Sequence, residues 1–243
     1  MHQSKAHIIA QLQKDLLLLQ GYKPLPGGEA PDTGLGAIQQ AFPNETFPLG
    51  AIHEFSCTGA EEASASSGFI AGVLCSLMQR GAVTLWISAS RNLFPPALQM
   101  FGISPHRVIF IDLKREADLL WAMEEALKCT GLASVVGEIS ELSFTASRRL
   151  QLAVEQSGVT GFILRRNPRN TATASVTKWK ITSASSEPRD NLPGLGFPRW
   201  NVTLLKVRNG KPGSWQIEWA SGKFQSVHKA AAIIPGRFQK QTG

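Results

Sequence analysis

The 243-residue sequence predicts an α/β fold: a mostly parallel sheet flanked by helices, extended by antiparallel strands in the C-terminal part. Three observations carry that prediction. Between positions 51 and 165, short apolar runs alternate with stretches of helical periodicity. Strands separated by helices need crossover connections, which make the strands parallel and cover the sheet on both faces. Beyond position 170 the helical period gives way to two-residue alternation with turn dipeptides, as antiparallel strands require. Finally, an apolar share of 43% supplies a sizeable core, while no apolar run is long enough to span a bilayer.

The elements follow in order. His2 to Gln20 predicts a helix, with Ile8, Ile9, Leu12, Leu16, Leu17 and Leu19 at helical spacing and Gly21 as its stop. Residues 22–50 are rich in Gly and Pro and give an irregular lead-in with a short helix near Ala37 to Ala41. Ala51 to Phe55 alternates as a first strand; Ser56 to Gly68 predicts a small-residue loop, and Phe69 to Leu77 a helix. Strands are expected at Val83 to Ser88, Arg107 to Asp112, Ala133 to Ile139 and Gly161 to Arg165. Helices are expected near Pro96 to Phe101, at Glu116 to Lys128 with Leu119, Leu120, Met123 and Leu127 on one stripe, and at Phe144 to Gln156 with Leu150 and Leu152 inward. Ala174 to Thr182 alternates Val176, Lys178 and Lys180 with Thr177, Trp179 and Ile181. A loop from Ser183 to Pro198 leads to alternating runs at Trp200 to Val207 and Trp215 to Trp219, separated by the turn dipeptide Asn209-Gly210. No Pro-rich linker divides these strands from the α/β part. The organisation is therefore a lead-in over 1–50, one domain over 51–228 and a tail over 229–243.

Charge is unevenly placed. Residues 1–164 hold 11 Lys and Arg against 15 Asp and Glu, whereas residues 165–243 hold 14 against 3, together with four of the six Trp. Such asymmetry points to a polyanion-facing side, most economically nucleic acid. A solvated basic face that binds nothing is the alternative that charge alone leaves open. Three widely separated Cys (Cys57, Cys75, Cys129), without an export signal, indicate reduced, buried thiols and a cytoplasmic protein. No Cys or His lies at metal-ligand spacing, so no metal and no cofactor are expected.

The stretch with the most chemistry in it is Ser56 to Gly68. A strand, a small-residue loop and a helix are the setting of a phosphate-binding loop, G-x-x-x-x-G-K-[ST]. Laid on Gly59 with Glu61 inside the span, the second Gly falls on Ser64, the Lys on Ala65 and the Ser/Thr on Ser66. Losing the Lys removes the point charge that holds a β/γ-phosphate, at a cost of several kcal/mol by usual magnitudes. Glu138, after a later strand, is the candidate for the magnesium position, with Glu141 beside it; both also read as solvating residues of the sheet's end. No catalytic residue is expected. The candidate nucleic-acid residues are Arg165, Arg166 and Arg169 where a strand meets a loop, Lys178 and Lys180 on one strand face, and Arg189 and Arg199 around the 183–199 loop. Arg and Lys neutralise phosphates, and Trp offers a stacking surface. For at least three of Trp179, Trp200, Trp215 and Trp219, however, a core position is the expectation.

This order of features resembles the RecA core. Gly59 to Ser67 aligns without gaps on the RecA phosphate loop, Ser90 falls on its catalytic glutamate, Glu138 on its magnesium-associated aspartate, and Arg165-Arg166 on the start of its second DNA-binding loop. More specifically, Phe47-Pro-Leu-Gly-Ala-Ile-His-Glu54 and the run from Gly194-Leu-Gly-Phe-Pro-Arg-Trp to Gln-Ile-Glu-Trp219 resemble the ImuA family. These are RecA-like proteins of the bacterial damage-inducible mutagenesis cassette, sometimes described as SulA-like. The resemblance covers roughly residues 5–225. It implies a non-polymerase subunit of an error-prone translesion-synthesis complex. Its implied partners are an ImuB-type polymerase-like protein, an error-prone DnaE-type polymerase and, by kinship, RecA. The lost lysine and glutamate make the expected protein a non-catalytic accessory, and the basic C-terminal part makes single-stranded DNA its expected nucleic acid. Two alternatives stand beside it: a DNA-dependent ATPase that borrows a cation such as Arg91 or Lys114, and a SulA-type inhibitor of cell division.

Overall fold

Among the described residues nine strands form one sheet in the order β3-β2-β4-β5-β1-β6-β7-β8-β9. The protein's structure is a computed structural model that describes residues 32–78, 82–168, 171–187 and 196–227. The helix expected over His2 to Gln20 and the tail from residue 229 lie outside those residues. The strands are β1 (Ile52–Cys57), β2 (Val83–Ser88), β3 (Val108–Asp112), β4 (Leu132–Glu138), β5 (Thr160–Arg166), β6 (Thr177–Ala184), β7 (Arg199–Val207), β8 (Gly213–Ala220) and β9 (Lys223–Ser226). Strands β3, β2, β4, β5, β1 and β6 run parallel to their neighbours; β6 to β9 are antiparallel. The predicted mixed architecture is therefore present, with β6 as the hinge between its two halves.

Three α-helices among the described residues pack on the sheet: α1 (Ala60–Leu77), α2 (Glu116–Leu127) and α3 (Phe144–Ser157). On one face Phe69, Ile70, Val73 and Leu74 of α1 meet Phe55, Trp86, Val136, Phe162 and Trp179. On the other, Leu119, Met123 and Leu127 of α2 and Leu150 and Val154 of α3 meet Ile52, Leu85, Ile87, Val135 and Ile163. Alternation along each parallel strand feeds both layers, which is why these strands read as continuous apolar runs. Local chemistry fixes the ends of α3. The Ser143 side chain accepts from the Ala146 amide at its start, and Gly158 takes the left-handed conformation (φ 79°) at its end.

Helix α1 begins nine residues earlier than its apolar pattern indicates. Serines usually favour turns because their hydroxyls compete for backbone groups. Here that demand is met within the helix and from β1: Ser67 Oγ donates to the Ala63 carbonyl at 2.8 Å, and Ser66 Oγ accepts from Cys57 Sγ at 3.4 Å. Small residues also let α1 lie close to the antiparallel strands. A Cβ on Gly72 would stand 2.3 Å from the Phe224 ring, so only glycine fits that crossing.

Other expectations need correcting. Leu150 is buried but Leu152 is 42% exposed, because two positions along a helix turn a side chain to the opposite side. Of the three cysteines only Cys57 is buried; Cys75 is partly covered and Cys129 exposed. Trp179, Trp200 and Trp219 are buried as expected, while Trp215 is only partly covered. Strand β9 escaped the sequence reading, since four residues are too few to display alternation. No helix among the described residues is long and apolar enough to cross a membrane.

Candidate functional site

Only Thr58 and Gly59 separate β1 from α1. The residues expected to form a phosphate loop, Ala60 to Ser67, are the first two turns of the helix. The loop reading of Ser56 to Gly68 is thereby corrected. Ala65 and Ser66, aligned with the lysine and hydroxyl of such a loop, are buried against the sheet, while Ser64 lines a cavity.

The start of α1 carries its own anion. Gly59, at the N-cap, is extended (φ −162°) and offers no side chain to the helix amides. Glu62 folds back instead, accepting from the Thr58 amide at 2.7 Å and the Thr58 hydroxyl at 2.8 Å. Lys180 Nζ lies 3.4 Å from its other oxygen. Partial burial pushes the Glu62 carboxyl up, but the two Thr58 bonds and Lys180 outweigh it and hold it below the ordinary range. The adjacent Glu61 accepts from the Ser183 hydroxyl. A helix N-terminus attracts anions; here two carboxylates of the chain occupy its first turn.

The position expected to order magnesium is also engaged. Glu138, at the end of β4, accepts from Arg166 Nη2 at 2.8 Å and from Trp86 Nε1 at 3.3 Å. Arg166 remains 43% exposed, whereas Glu138 is 12% exposed. Two residues singled out separately in the sequence are thus partners across β4 and β5. Arg91, offered above as a borrowed cation, pairs with Asp112 at 2.7 Å and lies over the Phe110 ring. Next to the Glu138–Arg166 pair a cavity of about 470 Å³ opens between α1, the 92–101 segment and β7, with Phe94, Phe101, Leu93 and Trp200 among its walls.

Arg165 corrects the nucleic-acid expectation most directly. Its side chain points into the fold and is 1% exposed, with Nη1 2.9 Å from Glu54 Oε1. A residue so placed contacts no external phosphate. Glu54 also accepts from the Thr173 and Ser175 hydroxyls, and Lys178 Nζ stands 3.5 Å away. Burial pushes the Glu54 carboxyl up; Thr173, Arg165 and Lys178 together pull it below its ordinary value. Arg199 is likewise covered, pairing with Glu218 at 3.0 Å and Glu187 at 3.1 Å. Lys178 and Lys180 do share a face opposite buried Trp179, as the alternation implies. Arg169 and Arg189 lie outside the described residues.

Two cations that sequence reasoning did not single out join this region. Lys206 Nζ donates to the carbonyls of Thr173 and Ser175 at 3.3 and 3.2 Å, and Arg208 Nη2 to that of Ala174 at 3.2 Å. Alternation along β7 would put Lys206 on the side of Trp200 and Leu204; a register shift between Lys178 and Trp179 brings it opposite Lys178 instead, which the sequence does not display.

Comparison with known proteins agrees with this architecture. The chain is 34% identical over 198 residues to proteins named "Protein ImuA" from two strains of Caulobacter vibrioides (NA1000 / CB15N, and ATCC 19089 / CIP 103742 / CB 15). That match covers 76% of this chain and 81% of each relative. Among solved structures the RadB recombinase superposes with a TM-score of 0.58 at 12% identity, over 82% of this chain and 100% of RadB. That likeness shows a RecA-like fold. No family model matches the chain.

Proposed function

The chain belongs to the ImuA family, and from that membership we propose that it is a non-catalytic accessory protein of inducible, error-prone translesion DNA synthesis. It works as an adaptor built on a RecA-like fold. In this reading it joins an ImuB-type polymerase-like protein to an error-prone DnaE-type polymerase in the cytoplasm, with RecA as a further partner, and holds single-stranded DNA on its basic side.

The junction of β1 and α1 carries the non-catalytic part of the proposal. Hydrolysis of a nucleoside triphosphate needs a cradle of free amides, a cation on the β/γ-phosphates and an ordered magnesium ion. In their place stand a helix that starts at Ala60, Glu62 hydrogen-bonded to Thr58 just before it, and Glu138 neutralised by Arg166. An anionic ligand at this end of α1 is repelled by the two carboxylates of its first turn, Glu61 and Glu62.

Affinity capture of the tagged chain from DNA-damaged cells tests the adaptor role. Co-purification of the polymerase-like protein and the DnaE-type polymerase is expected. Recovery of the division machinery without either of them refutes it. A phosphate-release assay with and without single-stranded DNA tests the absence of turnover, and hydrolysis abolished by Glu138→Gln would refute that.

A further inference from the structure

The antiparallel half of the sheet has one face that no described helix covers. Helix α1 lies on the side of Trp179, Val202 and Ile217, whereas α2 and α3 pack over the parallel strands. On the open side, rows of polar side chains run across β6, β7 and β8. Lys178 stands opposite Lys206, Lys180 opposite Thr203 and then Ser214, and Thr182 opposite Asn201 and then Gln216. Two of these rows are joined by side-chain hydrogen bonds, Ser214 to Thr203 at 3.2 Å and Gln216 to Asn201 at 3.1 Å. None of the eight side chains is a carboxylate or an aromatic ring.

One end of this face is strongly cationic. Lys178, Lys206 and Arg208 converge on the segment 171–175, each donating to its carbonyl oxygens. Among the described residues the one carboxylate paired with these cations is Glu54, which lies 3.5 Å from Lys178 and already neutralises the buried Arg165. Among the described residues positive charge is therefore in surplus here, and each of the three cations retains donors beyond those its carbonyl bonds use. Partial burial, then Lys178 and Arg208, hold the Lys206 ammonium below its ordinary range, so an arriving anion would relieve the crowding. The opposite end differs: Arg199 is closed off by Glu218 and Glu187.

We propose that this open face is the track for the phosphate backbone of single-stranded nucleic acid, entered at Lys178, Lys206 and Arg208 and floored by the Thr203–Ser214 and Asn201–Gln216 rows. The proposal rests on the reading of the chain as a DNA-binding adaptor and moves the contact away from Arg165 and Arg199. Phosphodiester oxygens accept from the ammonium and guanidinium groups, and the hydroxyl and amide rows supply weaker donors along the strand. With no ring among these eight side chains to stack on, binding is insensitive to base sequence and strongly sensitive to salt.

Fluorescence anisotropy of a labelled oligothymidylate with the full chain tests this. The Lys206→Gln, Arg208→Gln double variant is expected to bind about tenfold more weakly at about 50 mM salt, with the slope of log K against log salt smaller by about 1.4. Asn201→Glu, exposed and away from segment 171–175, is expected to weaken binding without altering the melting transition. Lys128→Gln with Arg149→Gln, at the C-cap of α2 and on α3, removes the same charge elsewhere and should leave binding near the parent level. Inorganic polyphosphate should displace the oligonucleotide, and polyglutamate should do so far less well. If the parent binds and both open-face variants bind equally well, the track is wrong while the DNA-binding reading stands. No binding by the parent overturns both. Equal displacement by polyglutamate makes an acidic polypeptide the ligand and overturns the proposal.

Discussion

Arg165 and Glu54, 111 positions apart, form an ion pair 2.9 Å long in which both side chains are 1% exposed. It ties adjacent strands β5 and β1, and Thr173, Ser175 and Lys178 fix segment 171–175 over it. Removing Arg165 leaves the Glu54 carboxylate buried without its guanidinium partner, balanced by Lys178 at 3.5 Å. Arg165→Gln is expected to lower unfolding stability by about 3–5 kcal/mol. Arg166→Gln, which breaks a pair that keeps an exposed member, should cost about 1 kcal/mol or less. Urea denaturation measures both, and an Arg165 variant as stable as the parent would contradict the buried pair.

Restoring the missing phosphate-loop residues will not restore an ATPase. In Ser64→Gly, Ala65→Lys the new lysine replaces a side chain that is 7% exposed on a helix packed against the sheet. The expected outcome is loss of stability, since burying an ammonium without a partner is costly. Phosphate release should stay at background, also when Glu62→Gln is added. Turnover by either variant would show that the junction reorganises into a loop.

His53 predicts a stability that falls in acid. Its ring is wholly buried, with Nε2 donating to the Pro48 carbonyl and Nδ1 accepting from Thr177 Oγ1, each at 2.8 Å. Thr177 Oγ1 in turn accepts from Trp179 Nε1 at 2.6 Å. Desolvation drives the imidazole down to about 3, outweighing the bond to Pro48 that favours the charged form. The unfolded chain therefore binds this proton first as pH falls from about 6.5, and the folded chain only near 3. Stability should drop through that window by about 1.4 kcal/mol per pH unit from this residue alone. Comparing the parent with His53→Gln by denaturation at several pH values checks it; parallel pH profiles would refute it.

Gly72→Ala tests the close crossing of α1 over β9. Alanine is the better helix former by about 1 kcal/mol, so an unobstructed site would gain stability. The Phe224 ring occupies the space of the new methyl group. Loss of about 1–3 kcal/mol is expected from overpacking. The double change Gly72→Ala, Phe224→Leu should recover part of that loss in a thermal melt.

The sheet was legible because apolar runs at Val83 to Ser88 and Gly161 to Arg165 have no other way to be buried, and Lys178 and Lys180 showed their common face through strict alternation. The start of α1 was not legible. Gly59, Ser64, Ser66 and Ser67 have loop-forming tendencies, and only the hydrogen bonds to Ala63 and Cys57 and the burial of Ala65 overturn them. Arg165 was misread for a related reason. A strand-end arginine looks solvent-facing until its neighbour strand is known to carry Glu54 on the same side. The union of Glu138 with Arg166 has the same origin, because pairing of β4 with β5 is invisible in the order of residues.

Glu62 also bears on timing. A bound nucleotide can leave, and its departure gives many RecA-shaped machines a clock. A carboxylate that belongs to the chain cannot be exchanged or hydrolysed. On the proposed function, assemblies built on this chain carry no internal timer. Their duration is governed by how fast partners dissociate, how much of each is made and how soon each is destroyed.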